Sequence, residues 1–190
     1  ILNVGEFAKL YHNDGEGNFI KVYEFPFEAW EINSFALADV NNDQYDDIII
    51  AGRGFGNEFF TKLYTYNGEG GFTEVLNTPF EAMEHGKIVV TDIDEDDYND
   101  LLIMRENDVN QVSAQLYLND GMGNFTVMDN FPFDEFKKGT GAFIDINDDG
   151  IKDLLFIGSK LVNSWINKAY IYTNDGNGNL TEPERFAFDQ

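Results

Sequence analysis

Three stretches of nine residues concentrate oxygen donors: "DVNNDQYDD" (39–47), "DIDEDDYND" (92–100) and "DINDDGIKD" (145–153). Positions 1, 3, 5 and 9 of each carry a carboxylate or amide oxygen. They are Asp39, Asn41, Asp43 and Asp47 in the first, and Asp92, Asp94, Asp96 and Asp100 in the second. In the third they are Asp145, Asn147, Asp149 and Asp153. Position 7 (Tyr45, Tyr98, Ile151) would add its backbone carbonyl, which any residue supplies. Such an oxygen-only cage suits Ca²⁺, a hard cation that takes about six to eight oxygens. No His or Cys lies in these turns, which argues against Zn²⁺ or Cu²⁺. The expectation is three Ca²⁺ sites. Acidic residues also suit exposed turns without any ion, but three such turns in register weigh against that reading.

An EF-hand loop opens with the same D-x-[DN]-x-[DN]-G pattern, yet needs a bidentate Glu at position 12 and a helix on each side. Position 12 here is Ile50, Ile103 or Phe156, and the flanks read as strands. The EF-hand is excluded. Position 6 makes the sharp turn and favours Gly; it holds Gln44, Asp97 and Gly150 in the three turns. Asp tolerates the left-handed conformation better than Gln does, so the third turn is expected to be the most regular and the first the most strained.

The elements that position these turns repeat with them. Asp39, Asp92 and Asp145 are spaced by 53 residues. A hairpin signature recurs as "LYHNDGEGNF" (10–19), "LYTYNGEGGF" (63–72), "LYLNDGMGNF" (116–125) and "IYTNDGNGNL" (171–180). An aromatic signature trails it: "FPF" (25–27), "TPF" (78–80), "FPF" (131–133) and "FAF" (186–188). Each unit reads as four short strands, with Asn-Gly or Asp-Gly marking hairpins. The expected units are 1–29 (incomplete), 30–82, 83–135 and 136–190. The strands leaving the acidic turns, "DIIIAG", "DLLIMR" and "DLLFIG", are apolar without alternation and should be buried on both faces. A two-sheet sandwich would leave one face in water. A radial stack of four-stranded antiparallel sheets covers both, so the expected fold is an all-β β-propeller with blades of about 53 residues.

The 190 residues are 43% apolar and 15% aromatic, enough for a real core, so the acidity is not that of a disordered tail. A net charge of −23 argues against nucleic acid and anionic membrane as partners and fits cation binding. There is no Cys, no apolar run near the roughly 20 residues of a membrane span, and no signal-peptide form in "ILNVGEFAKL".

Aspartate-rich turns between strands, about 50 residues apart and each followed by "L-Y-x-N-D-G-x-G-N-F", resemble the FG-GAP/VCBS repeats. Those repeats build calcium-binding β-propellers in integrin α subunits and in many secreted or surface bacterial proteins. The resemblance covers essentially the whole chain and implies fold more than function, since the scaffold hosts adhesion modules, lectin-like binders and some polysaccharide lyases. Two features depart from it: Gln44 at position 6, and a count below the usual seven or eight blades. "ILNVGEFAKLY" aligns with a strand that leaves an acidic turn, so the first unit lacks its own turn and first strand. A partial propeller, a segment of a longer one, is expected over a four-bladed ring.

Alternate connections of a blade share a face. The acidic turns and "NDGxGN" hairpins lie on one, and loops of variable length and sequence on the other. Such loops are where a scaffold normally carries binding residues. Trp30, Phe55 and Trp165 fall there and are the candidate ligand contacts, for a glycan or a protein. The alternative for both tryptophans is packing between blades. His12 and His85 read as surface residues. No nucleophile elbow, zinc motif or phosphate-binding loop occurs. The leading expectation is an extracellular or cell-surface binding or adhesion module clipped by Ca²⁺. A polysaccharide lyase, using Arg53, Arg105, Lys160 and Lys168 on the variable-loop face, and a structural subunit of a surface assembly are the alternatives.

Overall fold

In the computed structural model the described residues are 2–3, 8–22, 29–54, 56–83, 85–106, 111–128, 136–161 and 165–181. Among them every regular element is a strand, and every pairing is antiparallel. Two short ribbons come first: β1 (Leu2–Asn3) with β2 (Ala8–Lys9), and β3 (Tyr11–Asn13) with β4 (Phe19–Lys21). A four-stranded meander follows, β5 (Ala29–Ala38), β6 (Asp47–Gly54), β7 (Phe59–Tyr66) and β8 (Phe72–Val75). The third unit repeats it as β9 (His85–Thr91), β10 (Asp100–Glu106), β11 (Gln111–Asn119) and β12 (Phe125–Val127). The fourth is β13 (Phe136–Ile144), β14 (Asp153–Leu161), β15 (Trp165–Asn174) and β16 (Leu180–Thr181).

Each acidic turn connects the first and second strands of its unit, and each glycine-rich hairpin connects the third and fourth. All of these connections therefore leave the sheets at the same end.

The apolar second strands explain how the sheets stack. Side chains alternate across a strand, so a run without alternation loads both faces. In β6, Ile49 and Ala51 join Leu101 and Ile103 of β10 in one buried cluster, while Ile48 and Ile50 form another with Tyr64. On the opposite face of β10, Leu102 and Met104 meet Leu154 and Phe156 of β14. Among the described residues β10 is thus sandwiched between neighbouring sheets, the reason "DLLIMR" can be continuously apolar. In "DLLFIG" of β14, by contrast, the expected burial of both faces fails, since Ile157 is 51% exposed where no neighbouring sheet among the described residues covers it. β6 is buried on both faces, one of them against its own sheet's Tyr64. Full burial of each such side chain contributes roughly 1.5–3 kcal/mol.

First strands of successive units also lie beside one another. The Ile88 amide in β9 donates to Ser34 Oγ in β5 at 3.2 Å, and Lys87 Nζ in β9 donates to Thr140 Oγ1 in β13 at 2.9 Å. The third and fourth units are not wholly separate sheets. β12 has only three residues and covers Tyr117–Asn119 at one end of β11. The other end, Gln111 and Val112, pairs instead with Lys137 and Phe136 of β13. An open strand edge takes whatever backbone is nearest, and the incoming chain of the next unit supplies it. The bridge between Phe60 and Met83 is the same device one unit earlier.

Candidate metal centre

All three acidic turns fold by the same internal hydrogen bonds. The position 1 carboxylate accepts the amides of positions 5 and 6. Asp39 accepts Asp43 and Gln44 at 3.1 and 2.7 Å, Asp92 accepts Asp96 and Asp97 at 3.2 and 3.1 Å, and Asp145 accepts Asp149 and Gly150 at 3.2 and 2.9 Å. The position 5 carboxylate then accepts the position 7 amide, from Tyr45, Tyr98 or Ile151. Position 6 is left-handed in every turn, with φ of 73° at Gln44, 70° at Asp97 and 92° at Gly150. Gly takes this conformation without steric cost, and Gln44 is the costliest of the three occupants. Position 4 is left-handed as well, at Asn42, Glu95 and Asp148.

Position 9 has a structural duty of its own. Asp47, Asp100 and Asp153 are fully buried. One oxygen of each accepts the position 2 amide: Val40 at 3.1 Å, Ile93 at 2.9 Å and Ile146 at 3.2 Å. The other accepts the last amide of the third strand, Tyr66 at 2.9 Å, Asn119 at 2.8 Å and Asn174 at 2.9 Å. This aspartate ties the turn to the hairpin, and each oxygen keeps a lone pair for a cation.

In the second turn the carboxylates of Asp92, Asp94 and Asp100 offer one oxygen each, all within 4.8 Å of one another. Asp94 Oδ1 is buried without a hydrogen-bond partner. Burial pushes Asp100 up to about 7, against the pull of the Ile93 and Asn119 amides and with the help of Asp94 and Asp96. Asp94 is raised by burial and by the Asp96 and Asp92 charges, and Asp47 is raised mainly by burial. A converging, desolvated and mutually repelling set of carboxylates is what a hard divalent cation relieves. The residues present fit Ca²⁺. Positions 1, 3 and 9 are brought together in the second turn, while the position 5 carboxylates face the turn's own backbone.

A connection that motif reading overlooked joins neighbouring turns. Asn119, in the "LND" of the third hairpin, donates through Nδ2 to the Val40 carbonyl at 2.9 Å. Asn174 donates likewise to the Ile93 carbonyl at 2.7 Å. Both side chains are buried, and each reaches position 2 of the preceding unit's turn. Asn99 adds a bond to the Asp39 carbonyl at 2.9 Å. The recurring Asn before Asp-Gly in the sequence was the available signal. Position 7 packs over the hairpin too: a Cβ on Gly68 would lie 2.8 Å from the Tyr45 ring, and φ there is 76°.

Trp30 lies near the start of β5, in a register shift between Ala29 and Glu31, and Trp165 opens β15; both are at the sheet ends opposite the acidic turns. Their side chains, and Phe55 entirely, lie outside the described residues. Of the basic residues on that face, Arg105 pairs with Glu81 at 2.6 Å and donates to Ser113 Oγ at 2.7 Å, and Arg53 donates to Asn57 Oδ1 at 2.6 Å. The side chains of Lys160 and Lys168 are outside the described residues.

No curated protein matches the chain. A family model described as FG-GAP-like repeat matches residues 39–103, from the first aspartate of the first turn through the second turn to Ile103 of the apolar strand β10. Over residues 39–103, about a third of its length, the chain is similar to the FG-GAP-like repeat family.

Proposed function

We propose that the chain is a calcium-clipped, propeller-type binding module that works outside the cytoplasm. The observation that carries the calcium reading is the second turn: three carboxylates converge within 4.8 Å, and one buried oxygen, Asp94 Oδ1, has no partner. The ions would sit among Asp92, Asp94, Asp96, Asp100 and the Tyr98 carbonyl, and among the equivalent residues 39–47 and 145–153. Their part is structural. They offset carboxylate repulsion and hold each turn against its hairpin; three divalent ions would cancel six of the 23 net negative charges. Millimolar extracellular Ca²⁺ fills even modest oxygen sites, and cytosolic levels do not.

A repeat scaffold of this kind places recognition on loops free of the structural motif, here the connections around Trp30, Phe55 and Trp165, with a glycan or protein as ligand. The lyase alternative is weakened by the pairing of Arg105 with Glu81 and of Arg53 with Asn57. The test is a glycan array and a panel of surface proteins probed with the calcium-loaded chain. Saturable binding lost in Trp165→Ala supports the module. Eliminative cleavage of a uronate polymer would replace it with the enzyme reading.

A further inference from the structure

A cleft of about 770 Å³ opens between the β3–β4 ribbon and the second unit, on the side of the acidic turns. Its origin is a departure from the repeat. In the third and fourth units the residue before the glycine hairpin is Asn119 or Asn174, whose side chain bonds to the preceding unit's turn. In the second unit that residue is Tyr66. Its amide still donates to Asp47 Oδ1 at 2.9 Å, so the backbone keeps its place while the side chain changes role. Tyr66 stands edge-on to Tyr45, with ring centroids 5.8 Å apart, and tilted against Phe72 at 4.9 Å.

These three rings and Tyr11 line the cleft, and the carboxylates in its described lining are Asp46 and Glu69, with His12 beside Tyr11. Among the described residues no Lys or Arg lines it. Its volume falls within the range of small-molecule sites. Aromatic faces carry partial negative charge and attract cations, most strongly where water is displaced. With two carboxylates beside them and a chain of net charge −23 around them, an anionic ligand is repelled and a neutral one gains nothing from the field.

We propose that this cleft binds an organic ammonium group, either a free small amine or the side chain of a lysine on a partner peptide. Tyr45, Tyr66 and Phe72 take the cation on their faces, and Asp46 and Glu69 balance its charge. The site lies beside the first acidic turn and does not require an ion in it.

The experiment is titration of the whole chain in saturating Ca²⁺ with choline and with 3,3-dimethylbutan-1-ol, its neutral carbon isostere. Choline should bind at least about fivefold more tightly. Tyr66→Ala should weaken choline about fivefold to thirtyfold, Tyr66→Phe should retain it, and Glu95→Gln, remote from the cleft, should change nothing. If Tyr66→Ala fails to fold, Tyr66→Leu serves in its place. A lysine-containing peptide and its trimethyl-lysine form, titrated in parallel, separate the two sources: tighter binding than choline that is lost with Tyr66 assigns the site to a partner protein. Equal affinity for choline and its isostere overturns the proposal. So does choline binding that survives removal of the Tyr66 ring, or that rising Ca²⁺ displaces, since the ammonium would then be sitting in the metal turns. A repeat of the titration in EDTA keeps the two readings apart, because loss of the calcium clips alone shows as a lower melting temperature.

Discussion

Asp94 is the residue at which the calcium reading is most exposed to test. Its Oδ1 is buried and unpartnered, so Asp94→Asn removes a charged donor without removing any hydrogen bond to that atom. The expected outcome is a loss of calcium affinity on the order of tenfold at the second turn, because affinity follows ligand charge. The metal-free melting temperature should hold or rise. Calorimetric titration and thermal unfolding read both. The acid range provides a second handle. Asp100 is raised to about 7 in the folded chain from an ordinary 3.8. A group whose folded pKa is raised stabilises fully below the unfolded value, and that stability is lost as pH climbs through the folded one. The metal-free chain should therefore lose stability between about pH 4 and 7, with Asp47 and Asp94 contributing in the same direction. Asp14, Asp120 and Asp175 are lowered by their Asn partners, so their contribution is lost only below the ordinary carboxylate range. Saturating Ca²⁺ should flatten the slope above pH 5, since the ion holds Asp100 ionised. A slope unchanged by Ca²⁺ in scans from pH 5 to 8 would break the link between this aspartate and the metal.

At the scale of elements, the turns and hairpins act as one assembly. Asn119→Ala leaves the Val40 carbonyl without that partner inside a junction between units, and the expected cost is about 1–3 kcal/mol. Because Val40 is position 2 of the first turn, calcium affinity there should fall too, although Asn119 is not a ligand. A variant with full calcium affinity and full stability would show the staple to be incidental. How much of this was legible follows from what spacing encodes. The 53-residue period, the apolar second strands and the donor positions were readable because each is a pattern of residue types along the chain. The clamp formed by Asp47, Asp100 and Asp153 was not, because a buried carboxylate with two amide partners and an exposed ligand are the same letter. Nor was the short β12, whose brevity hands one end of β11 to β13.

For the whole molecule, stability is distributed over junctions between sheets. Leu102 is buried between β10 and β14, and Leu102→Ala should cost about 2–5 kcal/mol. Ile157, the counterpart in β14 of the buried Met104, is 51% exposed, so Ile157→Ala should cost less than about 1 kcal/mol. Chemical unfolding of the two variants distinguishes a stack of sheets from any packing that treats the two positions alike. On the proposed reading, three static ions clip this stack together. The most direct measurement is calcium stoichiometry by calorimetry, joined to thermal unfolding in EDTA and in Ca²⁺ at ten times the measured dissociation constant. Three ions per chain and a stabilisation of about 1.4 kcal/mol for each filled site are expected. A melting temperature that EDTA and Ca²⁺ leave unchanged would contradict it.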